Sequence, residues 1–305
     1  MGGKCLNVKS KITMNSKIII TLSVTLSMLT GCNEDYRRAD MPPSMVFLTH
    51  SGEREVTLYN LNEPQDVAIS VTRSGLDNVE VKAKVEVSAQ ALKEWNESSG
   101  TNYILLPSDY YIFTDNDVVV SADQLYNTTT LSVKVPELSK IDFTKYALPL
   151  SISQASVALN EKTKTTILTF DILSPAVRMA ISGEIAITGD AKTVSYIIPL
   201  TIPFENKYGM ECLLDLSAVT FDEFNDSKEG IYKQIPKEAY TISSTNVKIE
   251  AGKQTAEIAI TIDREKLDDD NYALVCKLVK VTSAKAGVII NIDPRTNWFA
   301  ITSKK

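Results

Sequence analysis

The run Val81-Lys82-Ala83-Lys84-Val85-Glu86-Val87 sets its apolar side chains on one side of an extended backbone and its charges on the other. Alternation with a period of two marks a half-buried strand, because successive side chains of a strand point to opposite faces. The pattern returns 129 positions later, where Met210, Cys212, Leu214 and Leu216 take the places of Val81, Ala83, Val85 and Val87. Val81–Asp123 aligns with Met210–Gly252 without a gap, and ten of the 43 positions are identical. They are Ser88/Ser217, Ala89/Ala218, Glu94/Glu223, Asn96/Asn225, Ser98/Ser227, Tyr103/Tyr232, Pro107/Pro236, Tyr111/Tyr240, Val118/Val247 and Ala122/Ala251. Further on, Tyr146-Ala147-Leu148 matches Tyr272-Ala273-Leu274, so the first copy has gained three residues. Tyr126 is read as part of that gain.

A period near 130 far exceeds the roughly 20–45 residues of a solenoid repeat and suits a whole domain. Each copy reads mainly as short strands separated by turn residues: Val67–Val71, Val81–Val87, Tyr111–Phe113, Asp117–Ser121, Thr129–Val135, Ala147–Ile152 and Thr165–Ile172 in the first. That rhythm predicts an immunoglobulin-like β-sandwich. One short helix interrupts each copy, at Ala89–Glu97 and Ala218–Asp226, opened by a capping hydroxyl at Ser88 and at Ser217 or Thr220. The fold expected is therefore all-β, with two tandem sandwiches spanning residues 46–174 and 175–305.

The amino terminus carries a different signal. Lys4, Lys9, Lys11 and Lys17 precede an apolar run from Ile18 to Leu29, which ends in Leu29-Thr30-Gly31-Cys32. A positive segment, a short apolar segment and a small residue before cysteine read as a lipoprotein signal peptide over residues 1–31, with Cys32 as the lipidated residue. Met14 to Cys32 already forms a complete signal, so translation can start at Met1 or at Met14. Residues 32–45 read as a lipidated tether. Processing removes four lysines and no acids, so the charge moves from −6 to 28 − 38 = −10. An acidic body argues against nucleic acid as a partner. Asn33-Glu34-Asp35 resembles the acidic export signal of Bacteroidetes surface lipoproteins. It implies an outer-membrane, lipid-anchored protein exposed at the cell surface.

His50 is the one histidine in 305 residues, which leaves little room for a multi-histidine metal centre or a Ser-His-Asp triad. The Gly-x-Ser-x-Gly, His-Glu-x-x-His, phosphate-loop and Cys-x-x-Cys motifs are missing from the sequence. Neither catalytic residues nor a cofactor or metal site is therefore assigned. Asp268-Asp269-Asp270 offers hard oxygens, but adjacent carboxylates do not follow the alternate ligand spacing of a calcium loop and suit a solvated turn. Cys212 and Cys276 fall on inward positions and read as small core residues; export leaves a disulfide between them open.

Aromatic residues kept in both copies read as structure: Trp95 with Phe224, Tyr103 with Tyr232, Tyr111 with Tyr240. Those that differ are the ligand candidates. Tyr110 stands where the second copy has Ala239, and Trp298 neighbours Phe299 in a strand that must turn one of the two outward. Trp298, Tyr110 and Tyr126 are the expected ligand contacts.

The block Asn102-Tyr103-Ile104-Leu105-Leu106-Pro107-Ser108-Asp109-Tyr110-Tyr111, followed by Tyr146-Ala147-Leu148-Pro149-Leu150, resembles domain of unknown function 1735. In the second copy Tyr232, Pro236 and Tyr240 are kept and the late proline is replaced by Val275. The resemblance implies immunoglobulin-like modules of Bacteroidetes surface lipoproteins encoded beside glycan-capture machinery. Together these features lead to the expectation of a non-catalytic surface lipoprotein, not an enzyme. It would bind a polysaccharide or glycoprotein glycan and work with an outer-membrane transporter or surface glycan-binding proteins. The other reading is a structural, adhesin-like lipoprotein that binds protein.

Overall fold

The computed structural model of the chain describes residues 43–75, 79–113, 115–135 and 141–303. The leader, Cys32 and the acidic start lie outside them. The described residues form four sheets and two α-helices, α1 (Ala89–Ser99) and α2 (Ala218–Asp226).

The first sheet runs in the order Ala158–Leu159, Met45–Leu48, Pro64–Ser74, Tyr126–Lys134, Tyr111–Ile112. The second runs Gly52–Tyr59, Thr165–Leu173, Tyr146–Ala155, Val81–Val87, Asp117–Val120. The third and fourth repeat these orders strand for strand. The third places Asn291–Ile292, Ala176–Met179, Thr193–Thr201, Thr255–Asp263 and Tyr240–Ile242 in the positions of the first. The fourth places Gly183–Ala186, Trp298–Ser303, Tyr272–Ser283, Met210–Asp215 and Asn246–Ile249 in those of the second. The tandem all-β architecture read from the sequence is thus the one observed. Each pair of sheets closes over its own core: Val46, Ile69, Val85, Leu131, Leu148 and Leu168 in the first copy, Val177, Ile198, Cys212, Ile260, Leu274 and Phe299 in the second.

The helices pack on the outer face of the second and fourth sheets, where they build small cores of their own. Leu92, Ala147 and Ile167 are buried there in the first copy; Phe221, Phe224, Tyr232, Ala273, Val275 and Ala300 in the second. The strands beneath are covered on both sides, which is why Tyr146–Leu150 and Tyr272–Cys276 read as continuous apolar runs.

Two sequence expectations shift. Tyr126 pairs with Thr72 as Thr255 pairs with Thr201, so it has a direct counterpart in the second copy and is no insertion. The added residues follow Lys134, because Lys134 matches Asp263 while Tyr146 matches Tyr272. The first copy also has the edge strand Gly52–Tyr59, parallel to Thr165–Leu173, whose Glu53, Arg54 and Glu55 carry no apolar run.

The copies join head to tail. Strands Met45–Leu48 and Pro64–Ser74 fix two ends of the first sandwich: the chain enters at Met45, opposite Ser74, and the corner Tyr59–Glu63 lies at the other end. That corner docks on the second copy. Leu61, 5% exposed, is buried among the second copy's core residues. The Tyr59 and Phe204 rings lie 5.3 Å apart. Glu63 and Lys285 pair at 2.8 Å, and the Lys285 ammonium sits 4.7 Å from the centre of the Tyr208 ring. Asn62, at φ 53°, holds the left-handed turn that presents Leu61, a conformation that asparagine tolerates better than most residues.

Candidate functional site

Four of the ten repeated identities, Ser88/Ser217, Asn96/Asn225, Ser98/Ser227 and Tyr103/Tyr232, form one local device. Ser88 and Ser217 cap their helices, their hydroxyls accepting from Ala91 N at 3.2 Å and Thr220 N at 3.4 Å. Asn96 and Asn225 clamp the segment after each helix: Nδ2 donates to the Tyr103 carbonyl at 2.9 Å and to that of Tyr232 at 3.0 Å, while Oδ1 accepts from the amide of the same tyrosine at 3.0 Å in both copies. Ser98 and Ser227 donate back to the Trp95 and Phe224 carbonyls. The Tyr103 and Tyr232 hydroxyls then donate to Glu53 at 2.9 Å and Glu184 at 3.0 Å, on the neighbouring edge strands. Gly52-Glu53 and Gly183-Glu184 are therefore equivalent, a correspondence the sequence did not reveal. The Lys228 ammonium at 2.9 Å, with hydrogen bonds from Tyr232 and Thr302, holds the Glu184 carboxyl below the usual carboxylate range. The hydrogen bond to Glu53 raises the Tyr103 phenol.

Trp95 is half-buried in this device beside Gly52, and its Nε1 is buried without a hydrogen-bond partner. It is a packing residue, as its counterpart Phe224 is.

The copies diverge beside the helix. In the first, Ser151 lies opposite Thr165 and their hydroxyls meet at 2.6 Å. In the second, the equivalent cross-strand pair is Lys277 and Trp298. Phe299 turns inward and is fully buried, so Trp298 turns outward and lies against Phe224, ring centroids 5.9 Å apart at 51°. The result is a groove of about 210 Å³ lined by Thr220, Glu223, Phe224, Ser227, Val275, Lys277 and Trp298. Lys277 Nζ and Glu223 Oε2 pair at 2.7 Å on its rim. The Thr220 hydroxyl is turned away, donating to Asp215 at 2.5 Å. The groove thus presents an aromatic floor beside a paired acid and base. It lies below the ~300–1,000 Å³ of pockets that enclose a drug-sized ligand and suits one ring at a time.

The structure does not bring the other two ligand candidates to this groove. Tyr110 is half-buried against Phe143, centroids 6.0 Å apart at 73°, at the rim of the first core. Tyr126 is 61% exposed at the entry end of the first sandwich. Cys212 and Cys276 are both buried free thiols, and burial pushes each up to about 12. Asp268 accepts from the Tyr272 hydroxyl at 2.8 Å, and that bond lowers its carboxyl; Lys233 pairs with Asp270. His50 is exposed. Among the described residues, no group of three or more His, Cys, Asp and Glu side chains is placed to hold a metal ion, and no helix is long and apolar enough to cross a membrane.

A family model described as an N-terminal domain, "-like, N-terminal domain", matches the chain twice, over residues 41–159 and 168–285. No curated protein matches it. Among solved structures, the chain is similar to Bacteroides thetaiotamicron EndoBT-3987 with Man5GlcNAc product, at 23% identity and a TM-score of 0.35, over 44% of this chain and 33% of that one. The match thus spans about a third of that protein. CBD12 from CALX1.2 is similar at 8% identity and a TM-score of 0.39, over 84% of this chain and 99% of that one. A two-domain protein with unknown function from Bacteroides fragilis is similar at 10% identity and a TM-score of 0.34, over 83% and 94%.

Proposed function

From a chain that belongs to this N-terminal-domain family in two tandem copies, we propose a lipid-anchored surface protein that binds glycan through the second copy and leaves it chemically unchanged. The carrying observation is the replacement of the Ser151–Thr165 pair by Lys277 and an outward Trp298 over Phe224. An indole face offers a sugar ring an apolar platform, and the flanking Glu223 and Lys277 give its hydroxyls one acceptor and one set of donors. The first copy keeps the device without the platform and acts as the spacer. Lipidation at Cys32 sets the protein on the outer membrane, where it hands glycan to a transporter or to other surface glycan-binding proteins.

The experiment is affinity electrophoresis and calorimetry of residues 33–305 against a panel of polysaccharides and N-glycans. Binding to one glycan class that Trp298→Ala weakens at least about tenfold, or 1.4 kcal/mol, supports the reading. Binding to none of them overturns it, as does binding that Trp298→Ala leaves unchanged.

A further inference from the structure

The entry end of the first sandwich carries an apolar tip on a rigid loop. Leu125 is 67% exposed and Tyr126 61% exposed, at the turn into the strand Tyr126–Lys134. Val79, also exposed, leads into Val81, whose partner Val120 ends the strand just before that turn. Here the turn is held from beneath by Arg73, which is 6% exposed. Its Nε donates to the Gln124 carbonyl at 2.7 Å and its Nη2 to that of Ala122 at 2.5 Å, while its backbone amide donates to Leu125 O at 2.9 Å. Asn127 Nδ2 adds a bond to Val119 O at 2.7 Å. A buried guanidinium spent on loop carbonyls fixes the turn, and with it the outward aim of Leu125 and Tyr126.

The second copy shows what this end looks like when covered. Ile202 stands at the place of Arg73 and is buried in the core into which Leu61 docks. The turn of the second copy faces the joint: Gln254 donates to Phe204 O and Asn206 to Lys253 O. Among the described residues, the first copy's entry end meets no such corner. The second copy carries Gly189-Asp190-Ala191-Lys192 in the place of Asn60-Leu61-Asn62-Glu63, without the leucine that docks.

What does arrive at this end is the tether. Ser44 packs beside Gly75, and Met45 pairs with Ser74. Ten residues separate Cys32 from Pro43, so the point of entry stays within about 40 Å of the lipid even when they are fully extended. Tyrosine is enriched where a bilayer meets water, because its amphipathic ring sits at the headgroup level with its hydroxyl in water.

We propose that the Leu125–Tyr126 turn is a membrane contact: it seats on the lipid surface beside the anchor and fixes the tilt of the body. This rests on the lipidation of Cys32. The test uses the full chain, acylated and reconstituted into phosphatidylcholine vesicles, with Leu125→Cys carrying an environment-sensitive fluorophore. The thiols of Cys212 and Cys276 are buried, so the label goes to position 125. The control label is at Ile289→Cys, 77% exposed in the second copy. The expected result is a blue shift and quenching by spin-labelled lipid at 125 and neither at 289. Flotation with the vesicles but no quenching at 125 overturns the contact and leaves the anchor standing. Failure to float, matched by Cys32→Ser, overturns the anchor and the contact with it. A blue shift without lipid quenching, accompanied by a doubled mass in sedimentation, overturns the contact in favour of pairing between copies of the chain.

Discussion

Glu63 and Lys285, 222 positions apart in the chain, meet at 2.8 Å with only 11% and 25% of their side chains exposed. The pair flanks Leu61, so the two sandwiches share a joint with an apolar centre and a charged edge. Deleting buried methyl groups costs the lost transfer energy plus the cavity left behind. Leu61→Ala is therefore expected to destabilise the second sandwich by about 2–4 kcal/mol, and to split one calorimetric unfolding transition into two. The double exchange Glu63→Lys with Lys285→Glu restores the single transition that either change alone disturbs.

Trp95 and Trp298 respond in opposite ways. Trp95→Phe installs the residue of the second copy and removes an indole donor buried without a partner, an arrangement that costs about 1–3 kcal/mol. Stability in urea is expected to hold or rise, with glycan binding unchanged. Trp298→Ala is expected to lose binding and, with its ring contact to Phe224, about 1 kcal/mol of stability in urea.

Glu229, at φ 59°, occupies the left-handed position that Gly100, at φ 69°, holds after the first helix. An L side chain there costs about 1–2 kcal/mol. Glu229→Gly is expected to raise the stability of the second copy by about 1 kcal/mol once the added entropy of an unfolded glycine is set against that relief. Chemical denaturation measures it.

Asp215 accepts from Thr220, which contributes most to its lowered carboxyl, and from Ser217 at 3.0 Å. Glu184, lowered chiefly by Lys228, lies in the same sandwich. A carboxyl whose folded pKa is depressed binds its proton more readily in the unfolded chain, so its contribution is complete above the unfolded value. Those ordinary values are 3.8 and 4.5. The second copy is expected to keep its stability above about pH 5 and to lose it as the pH falls through the lower folded values. Asp215→Asn is expected to flatten that slope in a series of thermal melts.

Tyr232→Phe removes the donor to Glu184 at a site only 4% exposed, and an expected cost of about 1–2 kcal/mol follows from the loss of a bond to a charged group. Tyr103→Phe, whose partner Glu53 lies in the open, is expected to cost less. Paired melts of the two variants decide it.

Much of the fold was legible because the repeat doubled every weak signal. Val81–Val87 and Met210–Asp215 alternate alike, and both helices begin on their serines. Gly52–Tyr59 escaped notice because it is an edge strand, parallel to its single neighbour and studded with charges on its open side. The pairing of Tyr103 with Glu53 was invisible for the same reason, since it spans 50 positions and two elements. Trp298 could be singled out as unlike anything in the first copy. Its partner Lys277 could not, because the Ser151–Thr165 correspondence emerges only from strand register.

The first sandwich takes in the chain at Met45, at one end of its strands, and releases it after Leu173, at the other, beside Tyr59. Tension between a surface anchor and a captured polymer would run along the strands. It would strain their hydrogen bonds sideways and together, including the eight parallel registers from Gly52–Thr166 to Tyr59–Leu173. On the proposed function, such a module would yield by shear and not by unzipping.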